Sequence, residues 1–149
     1  YHGTKRNCNI GADGGETNPC NNDCFVCSIL KGSFRMPKPG SWGYFGAGIY
    51  TSTESSKANG YGYNVNSSDP IKAIFLCSVI TGRKHRLTTP DSTLSSAGYG
   101  YESVESEATG SNETIVYNAK QIKPHAVIMY SLSPTNVGPR PSPVSIMDL

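Results

Sequence analysis

The sequence contains no run of eighteen consecutive apolar residues, the minimum for a helix crossing a bilayer, so no helical membrane span is expected. Nor do its opening residues, Tyr1-His2-Gly3-Thr4, show the basic and then apolar regions of a secretory leader. Charge is scarce as well: 16% of the 149 residues are Asp, Glu, Lys or Arg, and the formal net charge is +2. The Lys and Arg are scattered, whereas a surface that tracks phosphates needs them clustered, so nucleic acid is not indicated as a partner. An initiator Met and any internal repeat are also lacking, and upstream segments are expected to be missing.

What is present is glycine, with sixteen residues, and proline, with ten, together with many Ser, Thr and Asn. That composition argues for short strands joined by loops rather than a helix bundle. A hydrophobic content of 36% over this length supports one domain with its own core. Strands are predicted over Ile71–Ile80, Glu113–Asn118 and His125–Leu132, where Ile, Val, Phe and Tyr are dense. Short helices are predicted over Ser28–Phe34 and Thr53–Asn59, the second capped by Ser52 or Thr53. Residues 87–112, rich in Ser, Thr, Gly and Glu, are expected to form a surface loop. The domain is placed at 1–132 with a Cys-rich insertion at 8–27, and 133–149 is a Pro- and Ser-rich tail.

Four of the five cysteines fall in that insertion, at Cys8, Cys20, Cys24 and Cys27. A loop rich in Gly and Asn has no apolar period to order it, and four thiolates suit a tetrahedral structural zinc. Two disulfides, or free thiols, are the alternatives. Cys77, between Leu76 and Ser78 in an apolar run, is expected to be a buried small hydrophobe. Two glycosylation acceptor patterns occur, at Asn66 and Asn112. The second abuts Glu113, where a glycan would obstruct a site, so an intracellular location, cytoplasm or nucleus, is expected.

Glu113 itself is a carboxylate at the head of a strongly apolar strand, which is costly to bury and for that reason a candidate for function. It belongs to an ordered trio. Tyr1-His2-Gly3-Thr4 comes first, then Tyr44-Phe45-Gly46-Ala47-Gly48-Ile49-Tyr50 running on through Ser55-Ser56-Lys57-Ala58-Asn59-Gly60-Tyr61, then Asn112-Glu113-Thr114-Ile115-Val116-Tyr117. In that order and spacing these segments resemble the His-Tyr-Glu signature of the poly(ADP-ribose) polymerase family of ADP-ribosyltransferases. The middle block is similar to the tankyrase-like branch, and the opening one to diphtheria toxin.

The resemblance implies an α+β ADP-ribosyltransferase fold, two packed and mainly antiparallel sheets forming a split β-barrel with few short helices. It implies an enzyme, a glycosyltransferase that takes NAD as substrate, releases nicotinamide and passes ADP-ribose to an acceptor, expected to be protein. An NAD glycohydrolase and a non-catalytic NAD- or ADP-ribose-binding module are the alternatives. By the same resemblance His2 bonds the adenosine ribose, and the Gly3 backbone clamps the nicotinamide amide. Tyr50 and Tyr61 sandwich the nicotinamide ring, and Glu113 bonds the nicotinamide ribose and stabilises charge developing on it. His2, Tyr50 and Glu113 are thus the expected catalytic residues, and His2, Gly3, Tyr50, Ser56 and Tyr61 the expected NAD contacts. Where the polymerases place a serine that bonds the nicotinamide amide stands Ala58, with Ser56 two positions earlier. Either the loop shifts or one hydrogen bond is lost, worth about 0.5–1.5 kcal/mol.

Overall fold

The computed structural model describes residues 1–12, 17–21, 23–40, 43–64 and 70–131. The Pro- and Ser-rich tail and Asn66 lie outside the described residues. Two sheets form the body. One has three strands in the order β1 (His2–Gly3), β3 (Lys72–Val79), β7 (Ile122–Tyr130), all antiparallel. The other has four, in the order β2 (Ile49–Thr51), β6 (Glu113–Val116), β5 (Ser103–Ser106), β4 (Lys84–Arg86), antiparallel except for the β4–β5 pair. With two short helices, α1 (Phe25–Gly32) and α2 (Ser55–Asn59), this is the expected α+β architecture of two mainly antiparallel sheets.

β3 and β7 form the longest ladder, and its apolar pattern explains where the core lies. Ala73, Ile74 and Phe75 of β3 are buried, and Phe75 packs with Ile49 and Val116 of the second sheet and with Val127 of β7 in the main cluster. β7 begins three residues before the predicted His125 and runs through Pro124. Proline cannot donate to a ladder and so looks like a strand boundary, but here the register shifts between Leu76 and Cys77, opposite Pro124, and the irregularity accommodates it. β6 is buried at all four positions, which places it centrally in its sheet.

The helix predicted over 28–34 forms three residues earlier. Val26 and Ile29 set its buried face, and Lys31 reaches back to the Cys20 carbonyl at 2.6 Å. α2 starts at Ser55 rather than Thr53, because Ser52 accepts the Glu54 N–H through Oγ at 3.0 Å and Glu54 is the N-cap. Residues 87–112 are not all surface loop. β5 is buried, its Ser103 and Ser106 hydroxyls donating to the carbonyls of Thr81 at 2.7 Å and Leu87 at 2.6 Å. Cys77 is half-buried, and burial pushes its thiol up to about 12.

Candidate active site

A cleft of about 660 Å³ opens between the sheets, a size ordinary for a small-molecule site. His2, Gly3, Tyr50, Tyr61 and Glu113 all line it, although they come from four separate stretches of chain. Residues Ser33–Lys38 and Gly43, between α1 and β2, line it too. Ser56 does not: it is exposed, on the face of α2 turned away from the cleft, while Lys57 and Ala58 are the residues of that helix that line it.

His2 belongs to the first sheet, paired with Phe75, and its Nδ1 lies 2.8 Å from the Tyr50 carbonyl of the second sheet. A carbonyl only accepts, so Nδ1 carries the proton and the neutral ring keeps Nε2 as an acceptor. Burial lowers the His2 pKa below its usual 6.5, and the bond to Tyr50 only partly opposes that shift. The ring is therefore neutral at neutral pH. Gly3 has no substitute: a Cβ there would collide with the Ala58 carbonyl, so α2 packs directly on the β1 backbone.

Tyr50 presents its half-buried ring to the cleft while its hydroxyl ties down the preceding turn. It accepts from the Phe45 N–H at 2.8 Å and donates to the Gly46 carbonyl at 2.9 Å. Burial first, and then the nearby Glu113 charge, push its pKa up to about 12 against the opposing Phe45 bond. Gly46 holds φ at +70°, and a side chain there would strike the Leu94 carbonyl. Tyr61, half-exposed, also lines the cleft, with the Lys57 ammonium 5.8 Å from its ring centre.

Glu113 is 2% exposed and heads β6. A carboxylate this buried would be strongly destabilising alone. Two partners offset the cost: Lys57 Nζ lies 3.3 Å from Oε1, and the Thr109 hydroxyl donates to Oε2 at 2.7 Å. Lys57 also donates to the Thr109 hydroxyl at 3.0 Å, closing a ring of three side chains that fixes the carboxylate. The Glu54 carboxylate accepts the Asn112 N–H at 2.9 Å, so α2 and the start of β6 are joined on either side of this ring. The roles of Lys57 and Thr109 were not evident in the sequence, where Lys57 looks like a surface helix residue and Thr109 sits in a polar loop.

The family model of the poly(ADP-ribose) polymerase catalytic domain matches residues 22–112, more than half of the chain. The chain belongs to that family. The matched span contains the middle motif, starts after His2 and stops one residue short of Glu113, so the outer two motifs join it through the geometry just described. Among curated relatives of this polymerase-family domain, the chain is similar to protein mono-ADP-ribosyltransferase PARP3 of Mus musculus and to its Homo sapiens counterpart. Each is 34% identical over 84 residues, 56% of this chain and 16% of the relative. The chain thus matches about a sixth of the length of these relatives.

At the N-terminal end of α1 the four cysteines of the insertion converge. The Sγ atoms of Cys8, Cys20, Cys24 and Cys27 all lie within 4.8 Å of one another, and Cys8 is 3.5 Å from both Cys24 and Cys27. Sulfurs on a tetrahedral zinc at about 2.3 Å stand about 3.8 Å apart, so the cluster is close to the dimensions of such a centre. Backbone N–H groups point at two of the sulfurs, Asn7 to Cys24 at 3.4 Å and Cys20 to Cys27 at 3.3 Å, which suits thiolates. No disulfide links the cysteines. The cluster could hold a metal ion. Among the described residues no helix is long and apolar enough to cross a membrane.

Proposed function

We propose that this domain is an NAD-dependent ADP-ribosyltransferase that cleaves the bond to nicotinamide and passes ADP-ribose to an acceptor, most simply a protein side chain. The observation that carries the reading is the buried Glu113, fixed by Lys57 and Thr109 in a cleft it shares with His2, Tyr50 and Tyr61. Breaking the glycosidic bond develops positive charge on the ribose, and a carboxylate already held in place stabilises it without reorganising. Neutral His2 offers Nε2 to accept a hydrogen bond from a hydroxyl of the adenosine ribose, and Gly3, which lines the cleft, holds the nicotinamide amide through its backbone. Tyr50 and Tyr61 bound the nicotinamide ring.

The catalytic unit is 1–132, with 8–27 as an insertion. Its four cysteines are a structural zinc site: the donor set is all sulfur, four ligands leave no open position, and two sulfurs accept backbone N–H bonds. Four cysteines gathered as free thiols, and an Asn112 engaged beside Glu113, favour an intracellular location.

Nicotinamide release from NAD by the domain and by Glu113→Gln, with the ADP-ribose followed by mass spectrometry, tests the reading. Modified protein together with loss of turnover in the variant supports a transferase. Free ADP-ribose alone makes the chain a glycohydrolase, and NAD binding without nicotinamide release makes it a binding module.

A further inference from the structure

The cysteine cluster and the cleft share one helix. Cys24 is the N-cap of α1 and Cys27 lies in its first turn, while Phe25, Ser28 and Ile29 of the same helix line the cleft. A helix of eight residues has no stability of its own and takes its place from what it packs on. α1 ends at Ser33, the only non-glycine residue of positive φ among those described, at φ 60° and ψ −168°. That region is essentially reserved for glycine, and another residue stays there only when its surroundings hold it. The turn so enforced delivers Phe34, whose ring meets His2 edge-on at 4.9 Å and Phe75 at 6.2 Å. One series of contacts therefore runs from the sulfurs through α1 to the histidine of the cleft.

A second series leaves the cluster from its other side. Two residues before Cys8, the fully buried Arg6 donates from Nη1 to the Ile10 carbonyl at 2.6 Å and from Nε to Asn64 Oδ1 at 2.9 Å. Its backbone N–H donates to the Tyr63 carbonyl at 2.9 Å. The Cys-rich loop is thereby fastened to the segment that follows Tyr61, on the opposite side of the cleft. Ile10 is the loop's buried aliphatic side chain between Cys8 and Cys20 among the described residues, so the sulfurs are the main means by which it can be ordered.

We propose that a zinc ion on Cys8, Cys20, Cys24 and Cys27 is the anchor of the α1 wall, so that metal occupancy sets the affinity of the cleft for NAD. This rests on the zinc and NAD readings given above. Without the ion the four sulfurs lose their common partner, α1 loses the restraint at its first turn, and the strained Ser33 relaxes. Phe34 then no longer holds the His2 ring. The β2–β6 pair, which carries Tyr50 and Glu113 and has no cysteine, keeps its structure.

The test compares the zinc-replete chain, the same chain stripped by a chelator under thiol reductant, and the variants Cys20→Ser and Cys20→His. Cys20 lies outside α1, and histidine restores a zinc ligand where serine does not. Zinc per chain, NAD affinity by calorimetry and amide hydrogen exchange are measured. The expected result is one zinc per chain, with NAD bound at least tenfold more weakly after stripping and in Cys20→Ser. Exchange over 25–37 speeds up while 113–116 stays protected, and added zinc or Cys20→His restores both. Three results overturn the proposal: no stoichiometric zinc, zinc removal that alters neither exchange over 25–37 nor NAD affinity, or loss of protection everywhere at once. If the zinc-replete chain binds no NAD, the functional reading fails on its own, and exchange over 25–37 still decides whether the metal anchors the wall.

Discussion

The two sides of the cleft are built on different physics. The side made by β2 and β6 stands on strand pairing and apolar burial: Ile115 and Val116 are fully buried, and Tyr50 and Glu113 ride on a ladder that contains no cysteine. The α1 side stands on an eight-residue helix and a loop in which four sulfurs cluster. The carboxylate proposed to stabilise charge, Glu113, sits on the first, and Phe34, proposed to hold the His2 ring, on the second. On the proposed reading, chemistry is placed on the paired strands and access on the short helix.

The largest effect should come from the rigid side. Glu113→Gln is expected to lower kcat for nicotinamide release by 10²–10³-fold, about 3–4 kcal/mol of lost charge stabilisation, with NAD binding nearly unchanged. Paired turnover and calorimetry check it, and a variant that loses binding instead would place Glu113 in ground-state recognition. On the other side, Cys8→Ser is expected to lower the free energy of unfolding by about 3 kcal/mol or more in denaturant titrations, because a closed metal centre contributes directly to folding. An unchanged midpoint would erase the contrast between the two sides.

Thr109→Val sharpens the comparison within the rigid side. It removes a hydrogen bond to a charged group, worth about 1.5–3 kcal/mol, and should lower kcat roughly tenfold in turnover assays. Thr109→Ser, which keeps the hydroxyl, should restore it. Acidification tests the junction between the sides. Because folding holds the His2 pKa below 6.5, the unfolded chain takes up that proton first, so stability falls as pH drops below about 6.5 and is level above it. Thermal midpoints between pH 5 and 8 should show this slope in the native chain and a weaker one in His2→Asn. The smallest effect is a gain: Ala58→Ser should tighten NAD binding by about 0.5–1.5 kcal/mol, since Ala58 lines the cleft and a hydroxyl there supplies one more bond. No change in Kd would mean that the Ala58 methyl does not face the ligand.

Much of this was legible because apolar runs and ordered motifs are strong signals. β3, β6 and most of β7 follow directly from Ile, Val and Phe density, and His2, Gly3, Tyr50, Tyr61 and Glu113 meet in one cleft as their order suggests. β4 and β5 were not legible, since Lys84-His85-Arg86 and Ser103-Val104-Glu105-Ser106 have almost no apolar content. They are held by other means: Glu105 bridges to Lys84 and to Arg86 at 3.0 Å, and the serine hydroxyls bond loop carbonyls. Ser56 fell outside the cleft because it stands two positions, about 200° of helical rotation, before Ala58, so with Lys57 and Ala58 facing inwards it faces solvent. The Lys57–Thr109–Glu113 ring escaped notice for a simpler reason: its members are 52 and 4 residues apart, and only the folded chain makes them neighbours.

The exposed stretch 88–93 lies between β4, which belongs with the half of the chain bearing His2 and Tyr50, and β5, which belongs with the half bearing Glu113. A chain divided there would yield two pieces, neither containing a whole site, that must rejoin along three ladders, β3–β7, β2–β6 and β4–β5. Nicotinamide release would then report the encounter of whatever two proteins the pieces were fused to.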